Sequence, residues 1–360
     1  MADMITVTAD LLRRQLSAVF ESWGMPREDI DTTVRVMVET DLRGIDSHGV
    51  GMLANYQEKK NHGRLKPRPQ VRILRETPAM ALMDADCSIG HPPSVAAMNL
   101  AVNKAKAVGI GAVGVRNSNH YGAAGYYSLL ASDLGVIGMS FTSVTSAIVV
   151  PTFSRDPYLG TNPIAFAAPA QRNKAFSLDM ATSTVASGKV SIAKRTGKPM
   201  PAGWVLDNHG QPLTDASKAP NGNRRLTPLG GSRELGSHKG YGLAMMVEIL
   251  CSTLTGQISA PRDINDPDFR NKTLETTGHF FIAIDPALFG DGEAFREEMD
   301  ALMDRMRALP AIDPGQPVQV AGDFEYAEYE VRSKAGIPLS AALYEEVREV
   351  CRQSGASFLL

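Results

Sequence analysis

Apolar residues recur at helical spacing near the start of the chain. After Thr8, whose hydroxyl suits a helix N-cap, apolar side chains repeat every three or four positions as far as Trp23. Gly24 then occupies a position typical of a helix end. A second pattern of the same kind begins at Pro26 and continues to about Arg43. The first 43 residues therefore predict two consecutive amphipathic helices.

Strand and helix patterns alternate through the rest of the chain. Short apolar runs predict strands at 79–84, 110–115, 136–142, 164–168, 175–179 and 279–284. Helical spacing predicts helices at 94–107, 126–133, 239–254, 293–309 and 340–354. Two connections are also predicted, an exposed segment at 61–70 and a turn between strands at 206–210. Strands and helices mixed in this way predict an α/β core flanked by helices.

Composition narrows the class of protein. The 360 residues carry 37 Lys and Arg against 39 Asp and Glu, so the net charge of −2 argues against a nucleic-acid or membrane-surface partner. The length predicts about two domains. The three cysteines are far apart and suggest a reducing compartment. No signal-peptide pattern or long apolar run is present, and we therefore expect a cytoplasmic protein.

Familiar ligand motifs are absent or misplaced. Residues 109–114 fit the G-x-G-x-x-G dinucleotide fingerprint. That fingerprint requires a preceding strand and a following helix, whereas here the helical pattern comes first and the strand follows. We interpret it as a helix end followed by a core strand. The seven histidines show no metal-ligand spacing, so no metal site is predicted.

Two histidines are candidates for proton transfer. His48 follows Asp46 and Ser47 in a predicted loop, and His120 follows the strand predicted at 110–115. Polar residues after a core strand lie where open α/β sheets bind ligands, and imidazole exchanges protons near neutral pH. A capped turn at Ser47-His48 and a structural role for His120 remain alternatives.

Two further segments suit anionic or amide groups of a ligand. The strand predicted at 175–179 ends in Asp179 and is followed by a helix-cap signal. Lys239 lies near the start of the predicted helix 239–254, where a cation opposes the helix dipole unless an anion shares the site. An ordinary helix cap and a surface loop are the alternative interpretations.

Taken together and in order, these segments resemble the malate/L-lactate dehydrogenase family, typified by sulfolactate dehydrogenase, ureidoglycolate dehydrogenase and 2,3-diketogulonate reductase. The resemblance extends from about residue 8 to residue 345. The motifs that carry it are Asp41-Leu-Arg-Gly-Ile-Asp-Ser-His-Gly-Val50, Asn117-Ser-Asn-His-Tyr-Gly-Ala-Ala-Gly-Tyr-Tyr127, Leu159-Gly-Thr-Asn-Pro-Ile-Ala165, Leu178-Asp-Met-Ala-Thr-Ser183, Pro228-Leu-Gly-Gly231 and His238-Lys-Gly-Tyr-Gly-Leu243.

The resemblance implies a fold and an activity. It implies a mixed-sheet α/β domain that binds NAD or NADP without a Rossmann fold, over 81–284. Residues 1–80 and 285–360 would together form a domain rich in helices. The implied activity is NAD(P)-dependent interconversion of a small 2-hydroxy acid and a 2-oxo acid. The implied assembly is a homodimer or a higher homo-oligomer.

The resemblance also assigns roles to individual residues. His48 corresponds to the histidine next to the nicotinamide, and His120 to the histidine that exchanges the substrate proton. Ser47, beside His48, is the third catalytic candidate. Which of the two histidines moves the proton is left open. The implied cofactor contacts are Ser143, Asp179, Met180, Ala181, Lys239, Gly240, Gly322 and Asp323.

The sequence departs from the family pattern in two places. Met52 occupies the position where relatives commonly carry an Arg that holds the substrate carboxylate, a contact that Met cannot make. Residues 142–143 read Thr-Ser where relatives often read Thr-Asn. Arg43 is a substitute anchor, with an ion pair to Asp41 or Asp46 as its alternative role. We expect these differences to change the substrate and not the class of reaction.

Two other functions fit the same sequence. The first is a reductase of the same family that acts on the C=N bond of a cyclic ketimine, which the missing Arg would permit. The second is a cofactor-binding protein without turnover. The presence of both His48 and His120 argues against the second, because binding alone needs no proton transfer.

Overall fold

The computed structural model describes residues 4–144, 146–219, 225–257 and 276–360. The helices are Ala9–Ser22 (α1), Arg27–Leu42 (α2), Leu53–Asn61 (α3), His91–Val108 (α4), Gly125–Asp133 (α5), Ser187–Thr196 (α6), Ser237–Glu248 (α7), Gly292–Arg307 (α8), Asp323–Ala335 (α9) and Ala341–Ser354 (α10). The strands are Met4–Val7 (β1), Arg72–Glu76 (β2), Met80–Asp84 (β3), Ile110–Ser118 (β4), Ile137–Thr142 (β5), Ile164–Ala168 (β6), Phe176–Met180 (β7), Val205–Leu206 (β8), Pro212–Leu213 (β9), Thr277–Ile284 (β10) and Ile337–Ser340 (β11). Short 3₁₀ helices are present at Val50–Met52, Ala216–Lys218 and Pro286–Leu288, and a short π-helix is present at Ile249–Thr253.

A mixed sheet forms the centre of the described part of the chain. Its strand order is β2-β3-β4-β10-β5-β6-β7. Strands β3 and β4 are parallel and are joined by α4, as a parallel pair requires a crossover connection. The other neighbouring pairs are antiparallel. The structure thus confirms the predicted α/β fold class with a mixed sheet.

The glycine pattern at 109–114 serves packing between α4 and β4. Gly109 caps the C-terminus of α4 with φ of 95°, and the following glycines lie within β4. A Cβ added to Gly111 would lie 2.0 Å from the carbonyl oxygen of Ala101 in α4. The helix therefore rests directly on the strand backbone. This confirms the interpretation of the segment as a helix end followed by a core strand.

Two large hydrophobic cores support the fold. One lies between the sheet and helices α4 and α5 and includes Met98, Tyr127 and Phe281. The other joins residues from both ends of the chain, from α1 to α3 and from α10. The pairing of β1 with β11 connects the same two regions. The division into 1–80 with 285–360 and 81–284 stays a prediction.

Most predicted elements are present, with shifted ends. The helix predicted at 239–254 runs from Ser237 to Glu248 and continues as a π-turn, and α2 begins at Arg27 with Pro26 as its N-cap. The segment predicted as an exposed connector, 61–70, contains the buried Leu65. The elements that the sequence analysis did not predict are β1, β2, α3, α6, α9 and β11. Within the described ranges, the helices are all too short or too polar to cross a bilayer.

The contact between α4 and β4 can be tested with a pair of Gly→Ala variants. Gly111→Ala forces the helix away from the strand, and we expect a loss of about 1–3 kcal/mol or more in the free energy of unfolding. Gly188→Ala is the control, because Gly188 lies in α6 with nothing within 4 Å of its added Cβ. It should change stability by no more than about 1 kcal/mol, in the stabilising direction. Equal denaturation midpoints for the two variants would contradict this account of the packing.

Candidate functional site

The predicted site residues converge on one edge of the sheet. Strands β4 and β5 both end beside the start of β10, and β5 and β7 end on the two sides of the start of β6. His120, Ser143 and Asp179 lie at or just beyond the ends of β4, β5 and β7 respectively. Three segments far apart in sequence therefore meet along this edge.

The loop that carries His48 is held from two sides. The buried Asp41 carboxylate accepts a hydrogen bond from the Val50 N–H at 2.8 Å, and a Cβ on Gly49 would lie 2.0 Å from the same carboxylate. Burial raises the pKa of Asp41 well above its usual range. On the other side, Arg332 of α9 forms an ion pair with Asp46 and donates a hydrogen bond to the carbonyl of Asp41 at 2.8 Å. The loop thus has a defined backbone path.

His48 and His120 face each other. Their ring centroids are 5.4 Å apart. Nδ1 of His48 lies 2.8 Å from the Ser47 hydroxyl, and Nδ1 of His120 lies 2.7 Å from the Tyr56 hydroxyl. The Gly122 N–H also donates to Nδ1 of His120, at 3.3 Å. Because a backbone N–H can only donate, we assign Nδ1 of His120 as an acceptor and place the proton of its neutral ring on Nε2.

Both imidazoles are neutral at pH 7. Burial lowers the pKa of His48 below its ordinary value of 6.5. The pKa of His120 lies well below that value, first because of burial and then because of the neighbouring His48, His91 and Lys59. A neutral imidazole has one lone pair and one N–H, so the pair can both accept and donate a proton at a ligand oxygen.

Two residues of α3 that the sequence analysis missed support His120. Tyr56 binds its ring, and the ammonium of Lys59, one turn further along α3, donates to the Asn119 side chain at 3.3 Å. Spacing of i and i+3 on a helix that follows the His48 loop is the signal that could have identified them.

A further residue that the sequence analysis did not assign, His279, joins the strand ends beneath the site. Its ring is buried between the Thr142 hydroxyl at 2.7 Å and the Ser118 hydroxyl at 2.8 Å. It also stacks on the Tyr121 ring with centroids 4.5 Å apart. Burial lowers the pKa of His279 to about 3, so it is a neutral structural link between β4 and β5. No local sequence pattern indicates this contact.

The segment Asp179–Ala181 and the start of α7 lie close together. The Asp179 carboxylate accepts a hydrogen bond from the Gly125 N–H at 2.7 Å. Protein atoms crowded around this carboxyl raise its pKa to about 6, although the side chain stays open to solvent. Leu229 donates to the carbonyl of Thr182 at 2.9 Å, and a Cβ on Gly240 would lie 2.4 Å from the Leu229 backbone. Leu229 thus connects the two predicted cofactor segments.

Lys239 presents an exposed positive charge in the first turn of α7. Its carbon stem lies along Gly236, whose φ is 95°. Among the described residues, no carboxylate forms an ion pair with Lys239. The positive end of the helix dipole repels a cation at the N-terminus. An anion bound there would be attracted both by the dipole and by the Lys239 ammonium. This donor set suits a phosphate group.

Ser143, Gly322 and Asp323 have other surroundings. Ser143 is buried and exchanges hydrogen bonds with the backbone of Gly278, at 3.1 and 3.3 Å. The Asp323 carboxylate forms a two-point ion pair with Arg307, at 2.7 and 3.1 Å. Gly322 lines a narrow recess that also contains the Asp179 side chain. The side chains of Ser143 and Asp323 are therefore engaged within the protein.

Arg43 does not form the ion pair expected as its alternative role. Its guanidinium lies 3.5 Å from Glu39 and stacks over two tyrosine rings, with ring centroids at 4.9 and 5.9 Å. The predicted pairing with Asp41 or Asp46 is wrong, because Arg332 pairs with Asp46 and Asp41 binds backbone groups.

Met52 lies in the short 3₁₀ turn after His48 and is half-buried against the core built from both chain ends. Its thioether offers no cation to a carboxylate.

Comparison with known proteins gives consistent results. The model of the family described as malate/L-lactate dehydrogenase matches residues 7–348. Malate dehydrogenase of Pyrococcus horikoshii is 38% identical over 356 residues, which cover 99% of this chain and 97% of the relative. The crystal structure of malate dehydrogenase from Entamoeba histolytica has a TM-score of 0.92 at 31% identity, covering 99% of this chain and all of that one. Δ1-Piperideine-2-carboxylate reductase from Pseudomonas syringae has a TM-score of 0.82 at 28% identity, covering 96% and 99%.

The protonation of the histidine pair can be measured by ¹⁵N NMR of the imidazole rings during a pH titration. Because burial disfavours the charged form, both rings should be neutral at pH 7 and titrate below 6.5, with His120 well below it. A midpoint above 6.5 for either ring would contradict the electrostatics described for the site.

Proposed function

The chain belongs to the malate/L-lactate dehydrogenase family, and we propose that it interconverts a 2-hydroxy acid and a 2-oxo acid by NAD(P)-dependent hydride transfer. The observation that carries this proposal is the pair of neutral imidazoles of His48 and His120, with centroids 5.4 Å apart at the sheet edge. Oxidation of a hydroxy acid needs a group that removes the hydroxyl proton and a second that steadies the oxygen. The pair supplies both functions.

From these hydrogen bonds we infer different roles for the two histidines. In the neutral state His120 presents Nε2–H, because the Gly122 N–H and the Tyr56 hydroxyl both face Nδ1. It therefore donates a hydrogen bond to the substrate oxygen at C2. His48 can direct its Nδ1–H to the Ser47 hydroxyl, which leaves the Nε2 lone pair to take the hydroxyl proton. In the opposite direction His48 returns that proton to the carbonyl oxygen.

The proposed cofactor contacts lie in the segment Asp179–Ala181 and at the start of α7. Bound nicotinamide supplies or accepts the hydride at the C2 carbon of the substrate. We propose that Lys239 and the first turn of α7, including Gly240, hold its phosphates, because the exposed ammonium at this helix N-terminus suits anions. Asp179–Ala181 and Gly322 would contact its ribose and amide groups. The side chains of Ser143 and Asp323 already bind other residues of this chain. They would therefore form rigid walls of the site.

One comparison supports reduction of a cyclic C=N bond as the second candidate function. A solved structure with a TM-score of 0.82 and 28% identity is named a Δ1-piperideine-2-carboxylate reductase, whose substrate name denotes a cyclic imine. The same pair of histidines could protonate nitrogen instead of oxygen.

We further propose a cytoplasmic homodimer or higher homo-oligomer that acts on a small molecule.

Activity with NADH or NADPH and a panel of 2-oxo acids and cyclic imines tests the reaction. His48→Ala and His120→Ala should each lower kcat by about 10²–10⁴-fold, because each removes a group that positions or moves the proton. Binding of NAD(P)H, followed by fluorescence titration, should be retained. His62→Ala is the control, since the His62 ring is exposed to solvent and hydrogen-bonded to the Glu58 carbonyl, and it should keep wild-type kcat.

Three outcomes distinguish the candidates. Turnover of 2-oxo acids supports the dehydrogenase, and preference for cyclic imines supports the second function. Cofactor binding without any turnover would contradict both and support the non-catalytic alternative. Near-wild-type kcat in both histidine variants would overturn the assigned mechanism.

Lys239→Ala tests the phosphate site. Loss of the ammonium should raise the KM for the cofactor about tenfold to a hundredfold, the equivalent of about 1.5–3 kcal/mol for a charged hydrogen bond. The KM for the substrate should change much less. Lys106→Ala, an exposed lysine at the end of α4, is the matched control. An unchanged cofactor KM would remove Lys239 from the site.

Met52→Arg tests the substrate anchor. A guanidinium at this position should increase kcat/KM for oxaloacetate relative to pyruvate or apolar 2-oxo acids, by about tenfold or more. Met52→Leu preserves the volume and should leave the ratio unchanged. Arg43→Ala is measured in parallel. A wild-type preference for oxaloacetate that Arg43→Ala leaves intact would show that neither position anchors the carboxylate.

A further inference from the structure

The segment 159–165 contributes no residue to the proposed site, yet it contains a buried side chain on a strained backbone. Asn162 is completely buried and has a φ of +34°. Asparagine is one of the few residues that adopt this left-handed conformation, and the strain persists only where the surrounding structure holds the residue in place. The contacts of Asn162 show what holds it.

The Asn162 side-chain amide joins the end of β5 to α7. Its Oδ1 accepts a hydrogen bond from the Val144 N–H at 3.2 Å, two residues beyond β5. Its Nδ2 donates to the carbonyl of Ala244 at 3.1 Å and to the carboxylate of Glu248 at 3.0 Å, both in α7. Because a backbone N–H can only donate and a carbonyl can only accept, these contacts assign the orientation of the amide. Gly160 permits the close approach, since a Cβ there would lie 2.9 Å from Oδ1 of Asn162.

The backbone carbonyl of Asn162 binds a third segment. It accepts a hydrogen bond from the Thr182 hydroxyl at 3.1 Å. Thr182 directly follows the segment Asp179–Ala181. Asn162 is therefore hydrogen-bonded to each of the three regions that carry Ser143, Asp179–Ala181 and Lys239.

Resting on the proposed function for the identity of the ligand, we propose that Asn162 is a positioning residue of the cofactor site. Because its side chain is completely buried, it acts through the elements that it binds and not by touching the cofactor. Its amide fixes α7, which carries Lys239, at one separation from the end of β5. The residues proposed to hold the phosphates and those at the sheet edge can then bind the same cofactor molecule.

Asn162→Asp tests the amide donor. Asp has the same shape and also tolerates a left-handed backbone. It places an oxygen, however, against the Ala244 carbonyl and the Glu248 carboxylate, which are both acceptors. The Kd of NAD(P)H, measured by fluorescence titration, should rise about tenfold or more. The kcat at saturating cofactor should stay within about threefold of wild type, because the histidine pair is held by other residues.

Asn162→Gly separates the amide from the backbone, and it keeps the test available if the Asp variant fails to fold. Glycine relieves the strain of the positive φ and removes the side-chain hydrogen bonds to β5 and α7. It should also raise the Kd of NAD(P)H about tenfold or more. Asn103→Asp is the matched control, because Asn103 is exposed on α4 and its replacement should leave the Kd within about twofold of wild type.

Hydrogen exchange of the free protein gives a measurement that needs no cofactor. In Asn162→Asp the backbone amides of α7 and of residues 143–144 should exchange about tenfold or more faster than in Asn103→Asp, because the contacts between them are weakened. The amides of α10, which lies in the other core, should exchange equally in the two variants.

The possible results are distinct. A cofactor Kd within about threefold of wild type in either Asn162 variant overturns the proposal. A fall in kcat as large as the rise in Kd also overturns it, because it indicates general disruption of the site. If the wild type binds neither NADH nor NADPH, the proposed function fails and hydrogen exchange alone decides the role of Asn162. Equal exchange of α7 in Asn162→Asp and Asn103→Asp then overturns that role as well.

Discussion

His279 makes the contact on which the geometry of the site depends. Its two ring nitrogens bind hydroxyls at the ends of β4 and β5, and its flat face stacks on Tyr121. Strand β10 lies between those two strands and is hydrogen-bonded to both, so one buried side chain on it links both strand ends. The loop with His120 and the segment with Ser143 both begin at these ends. A residue that no ligand needs to reach therefore holds the two segments in place.

Exclusion of water from the same region determines the charge state of the histidines. Burial is the largest influence on the pKa values of His48, His91, His120 and His279, and it lowers each of them. Neutral rings need defined hydrogen-bond partners, since an imidazole without charge has one donor and one acceptor. The hydroxyls of Ser47 and Tyr56 have this role for His48 and His120, respectively. The burial that packs these rings in the interior is thus also what keeps them neutral.

The sequence was most informative where structure is local. Periodic helices such as α1 and α10 were placed to within a few residues, and the motifs around His48, His120 and Asp179 identified segments that the fold brings to one edge. Strands β1 and β11 were missed because each is stabilised by pairing with the other across the whole chain. Strand β2 is exposed along its length and has no apolar alternation. The ion pair of Arg43 with Asp41 or Asp46, named as its alternative role, does not form. Arg332, which is distant in sequence, pairs with Asp46 instead.

The ion pair between Arg332 and Asp46 has a consequence for biosynthesis. Its two residues are 286 positions apart, and at about 5–20 residues per second a ribosome needs roughly 15–60 s to pass from one to the other. During that interval the His48 loop has emerged while the arginine that holds it is not yet made. Strand β1 likewise has no pairing partner until β11 has been translated. The nascent chain can form the local α1–α2 pair early, but the arrangement of His48 is completed only when α9 has been translated. Until then, a growing polypeptide of this kind would lack the contact that fixes the His48 loop.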